Sequence, residues 1–318
     1  MPEKTLKPGW ISKVLPSRRR PEMPADRLMP MLVGRRPCTE AEAIRRGFGG
    51  RESARRRQVL AETLRVFQQA KPPDHFHQLA HENHARWASK AEDSPASLDV
   101  QIHAGDWGDV TLDLSRSHGQ IFAVLNMANA YVPGGGYIEG AASQEENLYR
   151  RSDCHFYIRD EDYDRDTDRY RPHMTELISG AMGRVYVDTR HPRVCIRGAE
   201  DLDQPNLGYR WLEEDEVFSF YELRAAAQDL RHGDLFDPAL ARAKIAAQLD
   251  TLIDAGIRHA VLGAFGCGAF RNPADEVAEL SRQEIEQRGD AFSIIAFAIR
   301  QMPYQASSFI PFQRVFDR

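Results

Sequence analysis

The chain has 318 residues, 42% hydrophobic and 28% charged, with a net charge of −5, a globular composition with ample material for a buried core. No apolar run approaches the ~18 residues that a membrane helix requires, and Lys4 and Lys7 lead into Pro8-Gly9-Trp10 without the apolar stretch of a signal peptide, so a cytoplasmic protein away from the membrane is expected. Cys38, Cys154, Cys195 and Cys267 have no C-x-x-C spacing, which argues against a disulfide framework or a zinc ribbon.

The charge is uneven. Residues 1–60 hold fifteen Lys/Arg against six Asp/Glu, giving +9 and leaving −14 for the rest. Residues 1–37, with Arg18-Arg19-Arg20 and Arg35-Arg36 and no apolar periodicity, read as an extended basic arm. Its charge would attract nucleic acid or another polyanion; a solvated or self-docking tail is the simpler expectation. A Thr39-x-x-Glu42 capping box follows, and Val59, Leu60, Leu64 and Phe67 recur at helical spacing from Arg55 to Gln69 before the Lys71-Pro72-Pro73 stop. Residues 38–95 are therefore expected as a helical extension.

From about Asp99 short apolar strands alternate with helices, the pattern of an α/β sheet covered on its faces. Strands are predicted at Asp99–His103, Ile121–Asn126, Gly183–Val187, Val217–Tyr221, Ala260–Ala264 and Phe292–Ala298. Helices are predicted at Glu145–Tyr157, Pro238–Ala255 and Asn272–Gln287, so residues 96–318 form the expected catalytic domain. Residues 160–172 resemble an Asp-rich calcium loop but lack its central Gly and terminal Glu, and read as a solvated surface loop.

The chemistry concentrates after the second strand. The run Ile121–Leu125 ends in Asn126-Met127-Ala128-Asn129, placing Asn126 and Asn129 where open α/β sheets bind ligands. Gly134-Gly135-Gly136 comes next, a loop stripped of side chains that lets backbone N–H groups approach a bulky anionic or sugar ligand. Gln144-Glu145-Glu146 then opens a helix. Read alone, Glu145 and Glu146 are first-turn carboxylates of the kind any helix favours; the glycines in front point instead to a pocket. A second glycine loop, Gly263 to Phe270, joins a strand to the helix opened by Asn272-Pro273 and could present backbone amides to an anion. It is not a Walker loop, since no Lys-Ser/Thr follows Gly268, nor a dinucleotide fingerprint, since no following βαβ unit supplies an acidic partner.

Together these stretches resemble one family. Gly134-Gly135-Gly136 with Gln144-Glu145-Glu146 is similar to the signature of poly(ADP-ribose) glycohydrolases in their microbial, short form. Asn126–Asn129 resembles the strand-end motif of macrodomains, and Gly266-Cys267-Gly268-Ala269-Phe270 resembles their diphosphate loop. The resemblance covers roughly residues 55–300. It implies a three-layer α/β/α macrodomain with a mixed, largely parallel sheet, acting on ADP-ribosylated protein or poly(ADP-ribose) without cofactor or metal and releasing ADP-ribose. It also implies roles: Glu146 as catalytic acid, Glu145 on the ribose of the scissile bond, Asn129 and Gln144 orienting that ribose or the carboxylates, the glycine loops cradling the diphosphate, and Phe270 packing on the sugar. A monomer is expected. The arm and the 160–172 loop depart from the family pattern.

Helical geometry agrees with a single working acid. Adjacent helical residues point about 100° apart, so Glu145 and Glu146 cannot flank a glycosidic bond from opposite faces as paired glycosidase carboxylates do. One glutamate must donate to the leaving oxygen and then activate water. Like charges one residue apart disfavour ionising both. Elsewhere, His77, His81 and His84 fall on one helix face but miss the zinc-protease spacing by one residue, and Asp188 and His191 lack a nucleophile nearby. Three functions stay open: a polymer glycohydrolase, a hydrolase removing mono-ADP-ribose from arginine or glutamate side chains, and a catalytically silent ADP-ribose reader.

Overall fold

The computed structural model describes residues 34–91, 95, 97–301 and 307–317, so residues 1–33 of the basic arm lie outside the described residues. Helix α1 (Glu40–Arg45) starts at the capping box read from sequence: the Glu42 N–H donates to the Thr39 hydroxyl, and the Glu42 carboxylate accepts the Thr39 N–H at 2.8 Å. Helix α2 (Arg51–Gln69) buries Val59, Leu60, Leu64 and Phe67, as their spacing requires. Helix α3 (His75–Ala88) follows and leads to β1 (Asp99–His103), α4 (Trp107–His118), β2 (Ala123–Met127) and α5 (Gln144–Arg151).

Beyond α5 come a small hairpin of β3 (Tyr163–Asp164) and β4 (Arg169–Tyr170), α6 (Pro172–Ile178), β5 (Tyr186–Val187), β6 (Arg193–Cys195) and β7 (Phe218–Ala225). The chain closes with α7 (Pro238–Asp254), β8 (His259–Leu262), α8 (Ala274–Glu286), β9 (Ile294–Ala298) and α9 (Phe309–Phe316). The main sheet runs β1-β9-β8-β2-β7-β5, parallel from β1 to β7, with β5 and β6 antiparallel to β7. This is the mixed, largely parallel sheet flanked by helices that the sequence predicts.

Alternation along the central strands explains the layers. Ala123 and Leu125 of β2 join Ile295 and Phe297 of β9 in a core under α7, α8 and α9. Val124, Ile294 and Ala296 point the other way, into a core shared with Leu60, Leu64, Trp107, Leu148 and Tyr149 from α2, α4 and α5. Burying each valine, leucine, isoleucine or phenylalanine among these contributes about 1.5–3 kcal/mol. Among the described residues no helix is long and apolar enough to cross a membrane.

Two expectations need correction. The helix predicted from Glu145 to Tyr157 stops at Arg151, because Ser152 turns extended to bridge Cys195, and a 3-10 turn at Cys154–Tyr157 follows. The stretch 160–172 is not a free loop: Tyr163 and Tyr170 are buried, and the Tyr170 N–H donates to Tyr131 O at 2.7 Å, stitching the hairpin to the loop after β2. Helix α4 escaped the sequence reading although its signals were present. Asp106 accepts the Gly108 N–H at its start, and Gly119 ends it in the left-handed region at φ 62°.

Candidate active site

The parallel strands end at one edge of the sheet, and the segments leaving them line a crevice of ≈ 370 Å³. Gly105 to Trp107 follow β1, Met127 and Asn129 end β2, Arg231 lies beyond β7, the second glycine loop follows β8, and Ala298 to Gln301 end β9. The first turn of α5 closes the crevice with Gln144, Glu145, Glu146 and Asn147.

Helix α5 is anchored at its far end by two fully buried arginines. Arg151 pairs with Asp106 at the start of α4, lies 4.7 Å over the Trp107 ring and donates to Arg197 O, while Arg150 donates to Tyr209 Oη at 3.1 Å and Ala141 O at 2.7 Å. Asn147 accepts from Trp107 Nε1 at 3.0 Å. These contacts hold the helix that carries the two glutamates.

The glutamates do not cap their own helix. Glu145 accepts the Asn129 N–H at 2.7 Å through Oε2 and the Gly134 N–H at 3.1 Å through Oε1. Glu146 accepts the Gly136 N–H at 2.9 Å through Oε1, and its Oε2 is buried without a hydrogen-bond partner among the described residues. Glycine is required between them. A Cβ on Gly135 would stand 2.4 Å from Glu146 Oε1 and 3.0 Å from Glu145 Oε2, and Gly134 and Gly135 both have positive φ, 71° and 55°.

Burial, and next the charge of Glu146, hold the Glu145 carboxyl well above the usual carboxylate range, against the pull of the Asn129 N–H and Arg224. Arg224 belongs to a buried ionic cluster in the sheet, which sequence reasoning missed because its charges sit within strands. Glu222 accepts from Arg224 Nε at 2.7 Å, Arg193 Nε at 3.2 Å and Asn126 Nδ2 at 2.9 Å. Burial opposes ionising Glu222, and the flanking arginines overcome it, bringing the carboxyl down to about 2.

The predicted residues divide by what they touch. Glu145, Glu146, Asn129, Gln144, Gly266, Gly268, Ala269 and Phe270 line the crevice. Gln144 spends its amide on the end of β2, accepting the Met127 N–H at 3.0 Å and donating to Leu125 O at 2.8 Å. Asn129 Oδ1 accepts the Tyr131 and Val132 N–H groups, shaping the turn into the glycine triplet. Asn126 faces the Glu222 cluster, away from the crevice lining. Asn272 braces the second loop by donating to Gln228 O, Gly266 O and Phe270 O. Burial pushes the Cys267 thiol up to about 12, so it is a packing residue of that loop. A Cβ on Gly268 would meet nothing within 4 Å, so its bareness opens the crevice without serving the packing. Arg231, 4.9 Å over the Phe270 ring, is a lining residue that sequence reasoning does not single out, because it lies 39 residues from that ring along the chain.

The other candidates are structural. His77 Nε2 pairs with Asp153 at 2.9 Å and His84 Nε2 accepts the Ser219 N–H at 3.1 Å. Among the described residues no group of three His, Cys, Asp or Glu side chains is placed to hold a metal ion. Asp188 accepts the Arg190 and His191 N–H groups and pairs with Arg193, a loop-closing role.

Known proteins resemble this chain in sequence over part of its length and in fold. Residues 41–179 match the family described as microbial-type PARG, catalytic domain. The poly(ADP-ribose) glycohydrolase of Thermomonospora curvata superposes with a TM-score of 0.57 at 24% identity, over 82% of this chain and 99% of that one. The same enzyme bound to the inhibitor ADP-HPD gives 0.55 over the same shares at 24% identity. The poly(ADP-ribose) glycohydrolase of Deinococcus radiodurans in complex with ADP-ribose gives 0.52 at 20% identity, over 76% of this chain and 91% of that one. A search of curated proteins returns no match. Over residues 41–179 the chain is therefore similar to the microbial-type PARG catalytic domain, and its fold is that of the bacterial poly(ADP-ribose) glycohydrolases.

Proposed function

We propose that the chain hydrolyses the ribose–ribose glycosidic bond of poly(ADP-ribose), with Glu146 as the single general acid and base and water as the nucleophile. The observation that carries this reading is the unequal bonding of two adjacent carboxylates: both Glu145 oxygens are engaged by backbone N–H groups, whereas Glu146 keeps Oε2 unpartnered beside the crevice. A general acid must reach the leaving oxygen, and only Glu146 has an oxygen free to do so. Its carboxyl donates a proton as the anomeric carbon gains oxocarbenium character, and the resulting carboxylate takes a proton from the attacking water.

The remaining residues bind and orient. Glu145 ties the Asn129 turn and the glycine triplet to α5, which sets the wall against which the scissile ribose rests. The second glycine loop, braced by Asn272, offers backbone N–H groups beside the guanidinium of Arg231, a suitable cradle for a diphosphate. The ADP-ribose seen in the Deinococcus enzyme is carried over to this crevice on that basis.

The experiment is a substrate comparison. Purified protein is incubated with poly(ADP-ribose) and with proteins carrying mono-ADP-ribosyl arginine, serine or glutamate, and free ADP-ribose is measured. Release from the polymer alone supports the reading. Release only from a mono-modified protein would move the assignment to a protein ADP-ribosyl hydrolase, and binding without release from any substrate would make it a reader.

A further inference from the structure

Arg35 precedes the 41–179 segment matched by the family, yet its side chain is only 2% exposed. Gly34 makes the approach possible: a Cβ there would stand 1.9 Å from His155 Nε2, so the chain lies flat against that ring. The guanidinium then works in two directions. Nε and Nη2 fork onto the Asp168 carboxylate, each at 2.7 Å, and Nη1 donates to Gly135 O at 2.6 Å and Pro133 O at 3.3 Å.

Those carbonyls are the reverse sides of the bonds that hold the glutamates. The Gly135 carbonyl shares its peptide plane with the Gly136 N–H, which donates to Glu146, and the Pro133 carbonyl shares its plane with the Gly134 N–H, which donates to Glu145. In a trans peptide C=O and N–H point in opposite directions. Each plane is thus a short strut with Arg35 at one end and a glutamate at the other. A cation on the carbonyl also polarises the unit and strengthens its N–H as a donor.

We infer that Arg35 is a positioning residue for the two carboxylates, acting through the Pro133–Gly134 and Gly135–Gly136 peptide planes, with Asp168 holding the guanidinium in register. Lysine could not replace it, because a single ammonium lacks the planar fork that meets a carboxylate and two carbonyls together. Asp168 is suited to its part. It sits at the β3–β4 turn with φ 54° and accepts the Tyr163 hydroxyl at 2.5 Å. Burial acts to raise its carboxyl, and the bonds from Arg35 and Tyr163 outweigh that and keep it below the usual carboxylate range.

The inference rests on the reading of Glu146 as the working carboxyl, so its test carries Glu146→Gln alongside. Arg35→Ala, Arg35→Lys, Asp168→Asn and, as a control, Arg36→Ala are assayed for kcat and KM on poly(ADP-ribose), with circular dichroism to confirm folding. Arg35→Ala is expected to lose ~100-fold in kcat with KM within about threefold, as for a remote misplacement of a catalytic group. Methylguanidinium should restore part of that loss, which a merely structural defect would not allow. Arg35→Lys and Asp168→Asn should fall between, and Arg36→Ala, whose side chain is 71% exposed and pairs with Glu42, should match the wild type. A folded Arg35→Ala or Arg35→Lys with wild-type kcat overturns the inference while Glu146→Gln stays inactive. An active Glu146→Gln would instead overturn the reading beneath it. Should Arg35→Ala fail to fold, the Arg35→Lys result decides.

Discussion

Glu145 and Glu146 turn their carboxylates toward the same glycine, so that Gly135 separates Glu145 Oε2 from Glu146 Oε1 with no room for a side chain. Adjacent positions on a helix would otherwise diverge by about 100°, and what brings them together is the glycine triplet, whose Gly134 and Gly136 N–H groups each donate to one carboxylate. The pair therefore works from one side of the crevice.

This makes Gly135→Ala a steric probe of the site. The added methyl would meet Glu146 Oε1 at 2.4 Å on a backbone already at φ 55°. The expected result is a loss of ~100-fold in kcat, from displacement of the carboxyl by a fraction of an ångström to an ångström, with a cost to folding of about 1–2 kcal/mol. Steady-state kinetics and a denaturant titration measure the two separately. Wild-type kcat in this variant would mean that the triplet does not position Glu146.

The proximity of the two carboxyls should also appear in stability. Because burial and Glu146 raise the Glu145 carboxyl in the folded chain, the folded state binds its proton more tightly than the unfolded one, and this contribution to stability is lost as pH rises above the usual carboxylate range. Glu146→Gln removes the neighbouring charge and keeps an acceptor for the Gly136 N–H. It is expected to stabilise the protein by about 1 kcal/mol at pH 7, within the range of such active-site substitutions, and by less at pH 4. Thermal unfolding at both pH values checks this, and equal effects at both would count against it.

Buried histidines give an opposite trend. Burial pushes His84, His155 and His259 down to about 4, whereas in the unfolded chain each protonates near ~6.5. Their neutral forms fit the fold, so stability is unaffected above that value and declines as pH falls from ~6.5 toward about 4. At about 1.4 kcal/mol per unit, each ring can cost up to ~3 kcal/mol at the acid end. His259 isolates the effect, since its Nε2 is buried without a partner among the described residues. His259→Leu should become more stable relative to the wild type as pH drops from 7.5 to 4.5; a constant difference would show that this ring does not drive the acid loss.

The sequence carried the fold where periodicity was strong and local. The bounds of β1 came out as read, and β2, β8 and β9 were found because alternating apolar residues serve two cores at once. The crevice was legible from the order of strand end, glycine loop and helix. What stayed hidden depends on contacts between distant residues. Asn126 reads as a strand-end ligand contact, yet it turns to Glu222 because β7 lies beside β2, which no local spacing reveals. Arg35 reads as one charge in a basic arm, and its partners Asp168 and Gly135 lie 133 and 100 residues away. Gln144 belongs to the motif as read, but its bonds to Met127 and Leu125 depend on how α5 meets the end of β2.

On the proposed reading, Glu146 performs the chemistry while Glu145 holds the loop. Its most direct test is single-turnover release of ADP-ribose from poly(ADP-ribose) by Glu146→Gln, with ADP-ribose affinity measured by calorimetry on the same preparation. The amide keeps the shape and the Gly136 hydrogen bond but cannot donate and retrieve a proton, so release should fall by ~10²–10⁴-fold while affinity stays within a few-fold of the wild type. Release at the wild-type rate would mean that Glu146 is not the acid.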